Sequence, residues 1–252
     1  LAGNSLNNDT AYAEDINNYD ITFALSGGHL WYTDVGRLRA STGYSANTGT
    51  LFYEDGFVPF NTLYRDQTPG EWDFADKIYC KTVLDKRNTP IGTTEGYGLS
   101  QKFTLGGIIP FDFRTSDFIE SVSNADFYLK LIDQPVTEEW DFIMSFMIHA
   151  SYTRILNKPG MDLPDSDKTA RMDGVFTGRG WSGEGYGTAL LDLKAEINIP
   201  IKENLLGSTF FFDAVNIWNN DEDEGTLDIE DFKFSYGFSL GLINQMMPIS
   251  FY

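Results

Sequence analysis

Few places in this 252-residue sequence hold residue types that could do chemistry. Arg179 stands between Gly178 and Gly180, with Trp181 next. A guanidinium offers five N–H donors in a fixed fork, so it can bridge two carboxylates where an ammonium acts only as a point charge. The run Asp221, Glu222, Asp223, Glu224 has oxygen ligands suited to calcium but lacks the spacing of a calcium-binding loop, and it reads as a solvated acidic loop. His149 and Asp141 share one strand face and could exchange a proton, yet no Ser or Cys nucleophile accompanies them, so His149 reads as wall lining. Cys80 is the single cysteine, which excludes an intrachain disulfide and a cysteine-based zinc cluster; it reads as a small hydrophobe packed in a strand. The run "GEGYG" at 183–187 lacks the strand-then-helix setting of a phosphate loop. The expectation is therefore no catalytic residue, no metal and no cofactor. The arginine is left as the residue that needs an explanation.

The elements around it explain its setting. The net charge of -19 argues against a nucleic-acid partner, since phosphate binding needs clustered Lys and Arg. No stretch approaches the roughly 18 apolar residues of a membrane helix. That excludes helical spanning and leaves open a barrel, whose strands need only about 10 alternating residues. The periodicity is in fact two. In "DFKFSYGFSLGLI" at 231–243, Phe232, Phe234, Tyr236, Phe238, Leu240 and Leu242 share one face, and Lys233, Ser235, Gly237, Ser239 and Gly241 the other. In "DFIMSFMIHASYT", Phe142, Met144, Phe146, Ile148, Ala150 and Tyr152 oppose Asp141, Ser145, His149, Ser151 and Thr153. In "TALLDLKAEINI", Ala189, Leu191, Leu193, Ala195, Ile197 and Ile199 oppose Asp192, Lys194, Glu196 and Asn198. Aromatic outer faces over small polar inner faces suit a strand between lipid and a wet lumen; a soluble sandwich would keep its large apolar side chains inside.

Further strands are expected at roughly 20–28, 37–46, 74–85, 97–107, 123–133 and 207–218, with a last one starting near Pro248. Short and long links alternate between them, as periplasmic turns and outside loops do, which makes the long link carrying Arg179 an outside loop. Trp31, Tyr32, Trp72 and Trp218 fall near strand ends, where interface-belt aromatics belong.

The run Gly178, Arg179, Gly180, Trp181 resembles the Arg-Gly-aromatic tip of the sixth outside loop in the BamA superfamily of outer-membrane insertases and transporters. The strand "LLDLKAEINIPI" is similar to a family strand with an inward Glu, and "STFFFDAVNIW" to its aromatic-aromatic-Asp strand. Trp181 replaces the commoner Phe or Tyr, and Thr177 stands where the family usually has Val. The resemblance is strong over 174–252 and diffuse before it. It implies that the loop folds back into the lumen and that Arg179 meets Glu196 and Asp213 on the wall, with Phe211 packing beside them. Strand parity agrees on its own terms. Glu196 lies with Asp192 and Lys194, and Asp213 with Thr209 and Phe211, opposite Phe210, Phe212 and Ala214.

The fold class expected is an all-β antiparallel transmembrane barrel, partial, with about ten of sixteen strands and no closing strand. Residues 1–252 form one barrel domain incomplete at both ends, without the periplasmic POTRA domains. The implied function is assembly and insertion of outer-membrane β-barrel proteins through a lateral seam, without enzymatic chemistry. Implied partners are outer-membrane lipid, unfolded outer-membrane protein clients, accessory lipoproteins acting through POTRA domains, and periplasmic chaperones, with no nucleic acid. The alternatives are a secretion or translocation pore of the same superfamily, a plain porin-like channel, and an outer-membrane enzyme whose long loop lines its site.

Overall fold

A computed structural model describes residues 17–52, 70–90, 92–109, 118–137, 140–157, 170–181, 186–202, 206–218, 228–242 and 249–251. Its strands are β1 (Asn17–Thr33), β2 (Gly36–Phe52), β3 (Trp72–Asp85), β4 (Gly96–Gly106), β5 (Phe118–Pro135), β6 (Asp141–Asn157), β7 (Ala170–Arg171), β8 (Tyr186–Gly187), β9 (Ala189–Lys202), β10 (Leu206–Trp218), β11 (Lys233–Leu242) and β12 (Ile249–Phe251). Ten of them form one sheet in the order β1-β2-β3-β4-β5-β6-β9-β10-β11-β12, each paired antiparallel with its neighbour. The other two form a small ribbon, β7-β8, inside the long link between β6 and β9. Among the described residues the sheet does not close, and β1 and β12 are its edges.

Alternation dictates this wall. On β1, Tyr19, Ile21, Phe23 and Leu25 are all exposed on one face; on β11, so are Phe234, Tyr236, Phe238 and Leu240. Across the β10–β11 ladder Phe210 faces Phe238 with ring centroids 6.4 Å apart, and Phe212 lies 5.9 Å from Phe234. An apolar face of this extent is stable in lipid and a liability in water. Among the described residues no helix is long and apolar enough to cross a membrane. By strand order the links at 34–35, 86–95, 136–140, 203–205 and 243–248 join strand ends on one side of the sheet. Those at 53–71, 107–117, 158–188 and 219–232 join strand ends on the other side and are longer on average, as outside loops are.

Several elements differ from the sequence reading. β1 and β2 run to 17 residues each and meet in the two-residue turn Asp34–Val35, held by a hydrogen bond from the Thr33 hydroxyl to the Gly36 carbonyl at 2.7 Å. Their small residues, such as Gly27, Gly28, Ser41 and Gly43, blur the alternation that marks strand ends. β5 begins at Phe118, earlier than expected. Cys80 is exposed on the outward face rather than packed. Trp31 and Trp72 are exposed at strand ends, and so is Tyr32, which register places on the inward face opposite Arg37. Trp218 is buried, its carbonyl taking a hydrogen bond from the Thr188 amide at 2.9 Å. The acidic run 221–224 and the loop residues 183–185 lie outside the described residues.

The buried apolar cluster is small and sits under the long link. Ala170 and Met172 pack on Ile155, Leu190 and Val215 of the wall, flanked by Phe118 and Ile217. Burying a Met or Leu side chain contributes about 1.5–3 kcal/mol, so this cluster is one of the anchors that hold the link's return limb against the inner face.

Candidate functional site: a loop arginine seated on the barrel wall

Residues directly opposite in a ladder share a face, which puts four inward side chains together on β9 and β10. Phe211 is opposite Glu196, and Asp213 is opposite Lys194. The link returning through 170–181 lays its tip over them. Arg179 Nε donates to Asp213 Oδ2 at 2.6 Å, and Nη2 to Oδ1 at 2.5 Å, a bidentate fork. Nη1 reaches Glu196 Oε1 at 2.7 Å. The guanidinium carbon stands 3.8 Å from the centroid of the Phe211 ring, a cation–π contact. The Arg179 amide also points at Asp213 Oδ2, 3.4 Å away. Arg179 retains 7% of its accessible surface and Asp213 none.

The structure thus brings Arg179, Glu196, Asp213 and Phe211 into one buried constellation. One cation is shared by two carboxylates and lies on a ring face, an arrangement that engages all three guanidinium nitrogens.

The glycines shape the tip. Gly178 and Gly180 have φ of 63° and 84°, in the left-handed region that L side chains avoid. The Gly180 amide donates to the Gly174 carbonyl at 3.0 Å, and the Trp181 amide to Gly178 at 3.1 Å, closing the turn. A Cβ at Gly178 would stand 2.6 Å from Met172 Sδ and 2.9 Å from Val215 Cγ1, whereas one at Gly180 meets nothing within 4 Å. Gly178→Ala is therefore expected to lower thermal stability clearly more than Gly180→Ala, which carries only backbone strain of about 1–2 kcal/mol. Equal melting shifts for the two variants would contradict this. Trp181 reaches the next strand, its indole N–H donating to the Phe234 carbonyl at 3.2 Å with the Lys233 ammonium 5.7 Å from its ring.

Three supporting residues escaped the sequence reading. Asp173 accepts the amides of Val175, Phe176 and Thr177 at 2.9, 2.7 and 2.8 Å, which folds the segment before the tip. The Asp-Gly pair 173–174 is a turn signal that could have been read. Lys194 donates to the Phe176 carbonyl and pairs with Asp192 at 3.0 Å, tying that turn to β9. Met172 anchors it from below.

Burial pushes the Asp173 carboxyl up, but the three amides, with Lys194 nearby, outweigh it and hold it below its ordinary value. A depressed carboxyl stabilises the turn above its unfolded pKa, and the contribution is lost as pH falls through the lower folded value. Protection of the Phe176 and Thr177 amides from hydrogen exchange, corrected for intrinsic rate, is expected to hold from neutral pH to about 4, the unperturbed Asp value, and to fall below it. The Asp173→Ala variant should lack that protection throughout.

His149 is paired, though not with Asp141. Its Nδ1 lies 2.6 Å from Oδ1 of Asp126, its register partner on β5. Eight residues along one strand span about 26 Å, so the carboxylate in reach had to come from a neighbouring strand. Among the described residues no His, Cys, Asp and Glu cluster could hold a metal ion.

An antiparallel wall, apolar outside, with a link turned inward onto its polar face, defines an outer-membrane β-barrel with a lumen-seated loop. The chain belongs to the Omp85 superfamily: a sequence profile of the Omp85 superfamily domain matches residues 3–252. It is 27% identical over 202 residues to a protein of Treponema pallidum (strain Nichols) described as a candidate outer membrane protein assembly factor, an overlap of 76% of this chain and 24% of that protein. Its fold is similar to that of BamA from Haemophilus ducreyi lacking POTRA domains 1-3, with a TM-score of 0.58 and 15% identity over 92% of this chain and 50% of the other. The chain thus spans about a quarter of the Treponema protein and half of the solved one. Its place is the bacterial outer membrane.

Proposed function

We propose that this chain is part of the wall of a barrel that folds and inserts other β-barrel proteins into the outer membrane, with Arg179 as the latch of its long loop. The observation that carries the reading is the buried fork of Arg179 on Asp213 and Glu196, which fixes an outside loop within the lumen. The family membership and the Treponema relative support the assembly role. In this reading a client strand adds to an exposed sheet edge, main-chain hydrogen bonds supply the affinity, and no covalent step or catalytic residue is needed. The partners are unfolded outer-membrane proteins and the surrounding lipid, with periplasmic chaperones and lipoproteins acting through POTRA domains of the whole protein.

The test is a strain whose sole full-length copy carries Arg179→Ala. Resident outer-membrane barrels should accumulate in unfolded, heat-insensitive form, several-fold above wild type. A variant that demonstrably frees its loop yet assembles clients at the normal rate would refute the latch's part in assembly. Normal barrel assembly with loss of one secreted protein would point to a secretion pore instead.

A further inference from the structure

The lumenal face is divided electrically. On the half that the loop covers, the acids beneath it are engaged: Asp126 with His149, Asp192 with Lys194, and Glu196 and Asp213 with Arg179. Glu120, at the border of that half, takes Lys102 of β4 at 3.1 Å. On the other half, β2 to β4, the described link residue Arg87 reaches the inner face only at its rim, beside Asp85 and Gly98. Register carries the inward face across this half: Asp126 is opposite Gly98, Gly98 opposite Asp85, and Asp85 opposite Arg37. By the same count Arg39 on β2, and Lys77 and Lys81 on β3, point into the lumen.

All three are exposed, and none has an ion pair among the described residues. Lys81 stands directly opposite Lys102, and Arg39 is one pair along from Lys81, opposite Val83. Like charges set opposite each other destabilise a sheet. Of the carboxylates on this face, Asp85 is taken by Arg37 and Arg87 at 2.9 and 3.0 Å. Asp20 and Asp73 lie together at the far end of their strands, both linked in register through Gly49. In a chain of net charge -19, three free cations are thus gathered on one wet wall.

We infer that Arg39, Lys77 and Lys81 make the β2–β4 face of the lumen a path for small anions, so that the barrel passes ions and these side chains bias the current toward anions. Fixed charges on a water-filled wall concentrate counter-ions beside them. A unit charge about 7 Å from a passing ion in water changes its local concentration two- to threefold, before screening over a Debye length of about 8–10 Å. Anion gain and cation loss act together, so three such charges should alter the anion-to-cation permeability ratio on the order of tenfold. This inference does not depend on the assembly role, because its readout involves no client.

The test uses the full-length protein in planar lipid bilayers under a potassium chloride gradient. Reversal potentials are compared for wild type, the triple variant Arg39→Gln/Lys77→Gln/Lys81→Gln, and the control Lys86→Gln. Lys86 lies in a short link and binds the Asp34 carbonyl at 3.1 Å. Heat-dependent gel migration establishes that each barrel is folded. The triple variant should lose on the order of tenfold in chloride-over-potassium permeability, and the control should not change. Should the triple variant fail to fold, the single variants Lys77→Gln and Lys81→Gln should each shift the ratio in the same direction by about two- to threefold. An unchanged ratio in folded variants, or a wild-type barrel that carries no current, overturns the inference.

Discussion

Full-length protein carrying Arg179→Ala is expected to lose about 3–5 kcal/mol of stability, the usual cost of removing one partner from a buried ion pair. The cost does not reflect a large net gain from the pair itself. Bringing a guanidinium and two carboxylates out of water is expensive, and their attraction does little more than repay it. What the variant suffers is the orphan. Asp213 has no exposed surface, and without the fork it must stay charged in a closed site, take up a proton, or let the loop leave so that water can enter. The loop has further anchors in Met172, the Asp173 turn and Lys194, so the tip should come away before the rest. The readout is the temperature at which the barrel loses its compact gel migration, together with protease cleavage near Trp181. Arg179→Lys should recover little, because an ammonium cannot span Oδ1 and Oδ2 of Asp213 and Glu196 Oε1 at once.

The second large effect lies on the wall and is unequal between the two carboxylates. Asp213→Ala should cost about as much as Arg179→Ala, because Asp213 takes both arms of the fork in a fully buried position. Glu196→Ala should cost less, about 1.5 kcal/mol. Glu196 makes one contact with Arg179, at 2.7 Å, and its side chain keeps 16% of its surface exposed, so water can take its place. The same thermal assay ranks them. A Glu196→Ala barrel weaker than Asp213→Ala would reverse the assignment of which carboxylate carries the arginine.

The resemblance of the motifs is what pointed Arg179 at Glu196, Asp213 and Phe211; what the residues show by themselves is the face each takes. A strand's side-chain period is two, so once β9 and β10 are recognised, parity alone puts Glu196 on one face and Asp213 with Phe211 on one face. What parity cannot give is register. Which residue of a neighbouring strand stands opposite is set by turn geometry and bulges, and β5 against β6 carries such an irregularity between Lys130 and Ile132. His149 could therefore be read only as wall lining, and its partner Asp126 on β5 could not be named. Trp218 failed differently: it has the position of a belt aromatic at a strand end, but the backbone of Thr188 closes over that end. The β7–β8 ribbon is two residues per strand, too short for any periodicity to appear. The extents of β1 and β2 were understated because small residues occupy both faces there, and contrast between faces is what the eye uses to find a strand's end.

The most direct test of the seated arginine is a double-mutant cycle on the full-length barrel, with Arg179→Ala, Asp213→Ala and the two combined, followed by thermal unfolding. Groups that share one buried contact are coupled, whereas independent sites more than about 7–10 Å apart add within about 0.5 kcal/mol. The geometry predicts a coupling of about 2–3 kcal/mol, with the double variant little worse than either single one because it leaves no buried charge alone. Strict additivity of the two losses would mean that Arg179 and Asp213 do not meet in the folded protein.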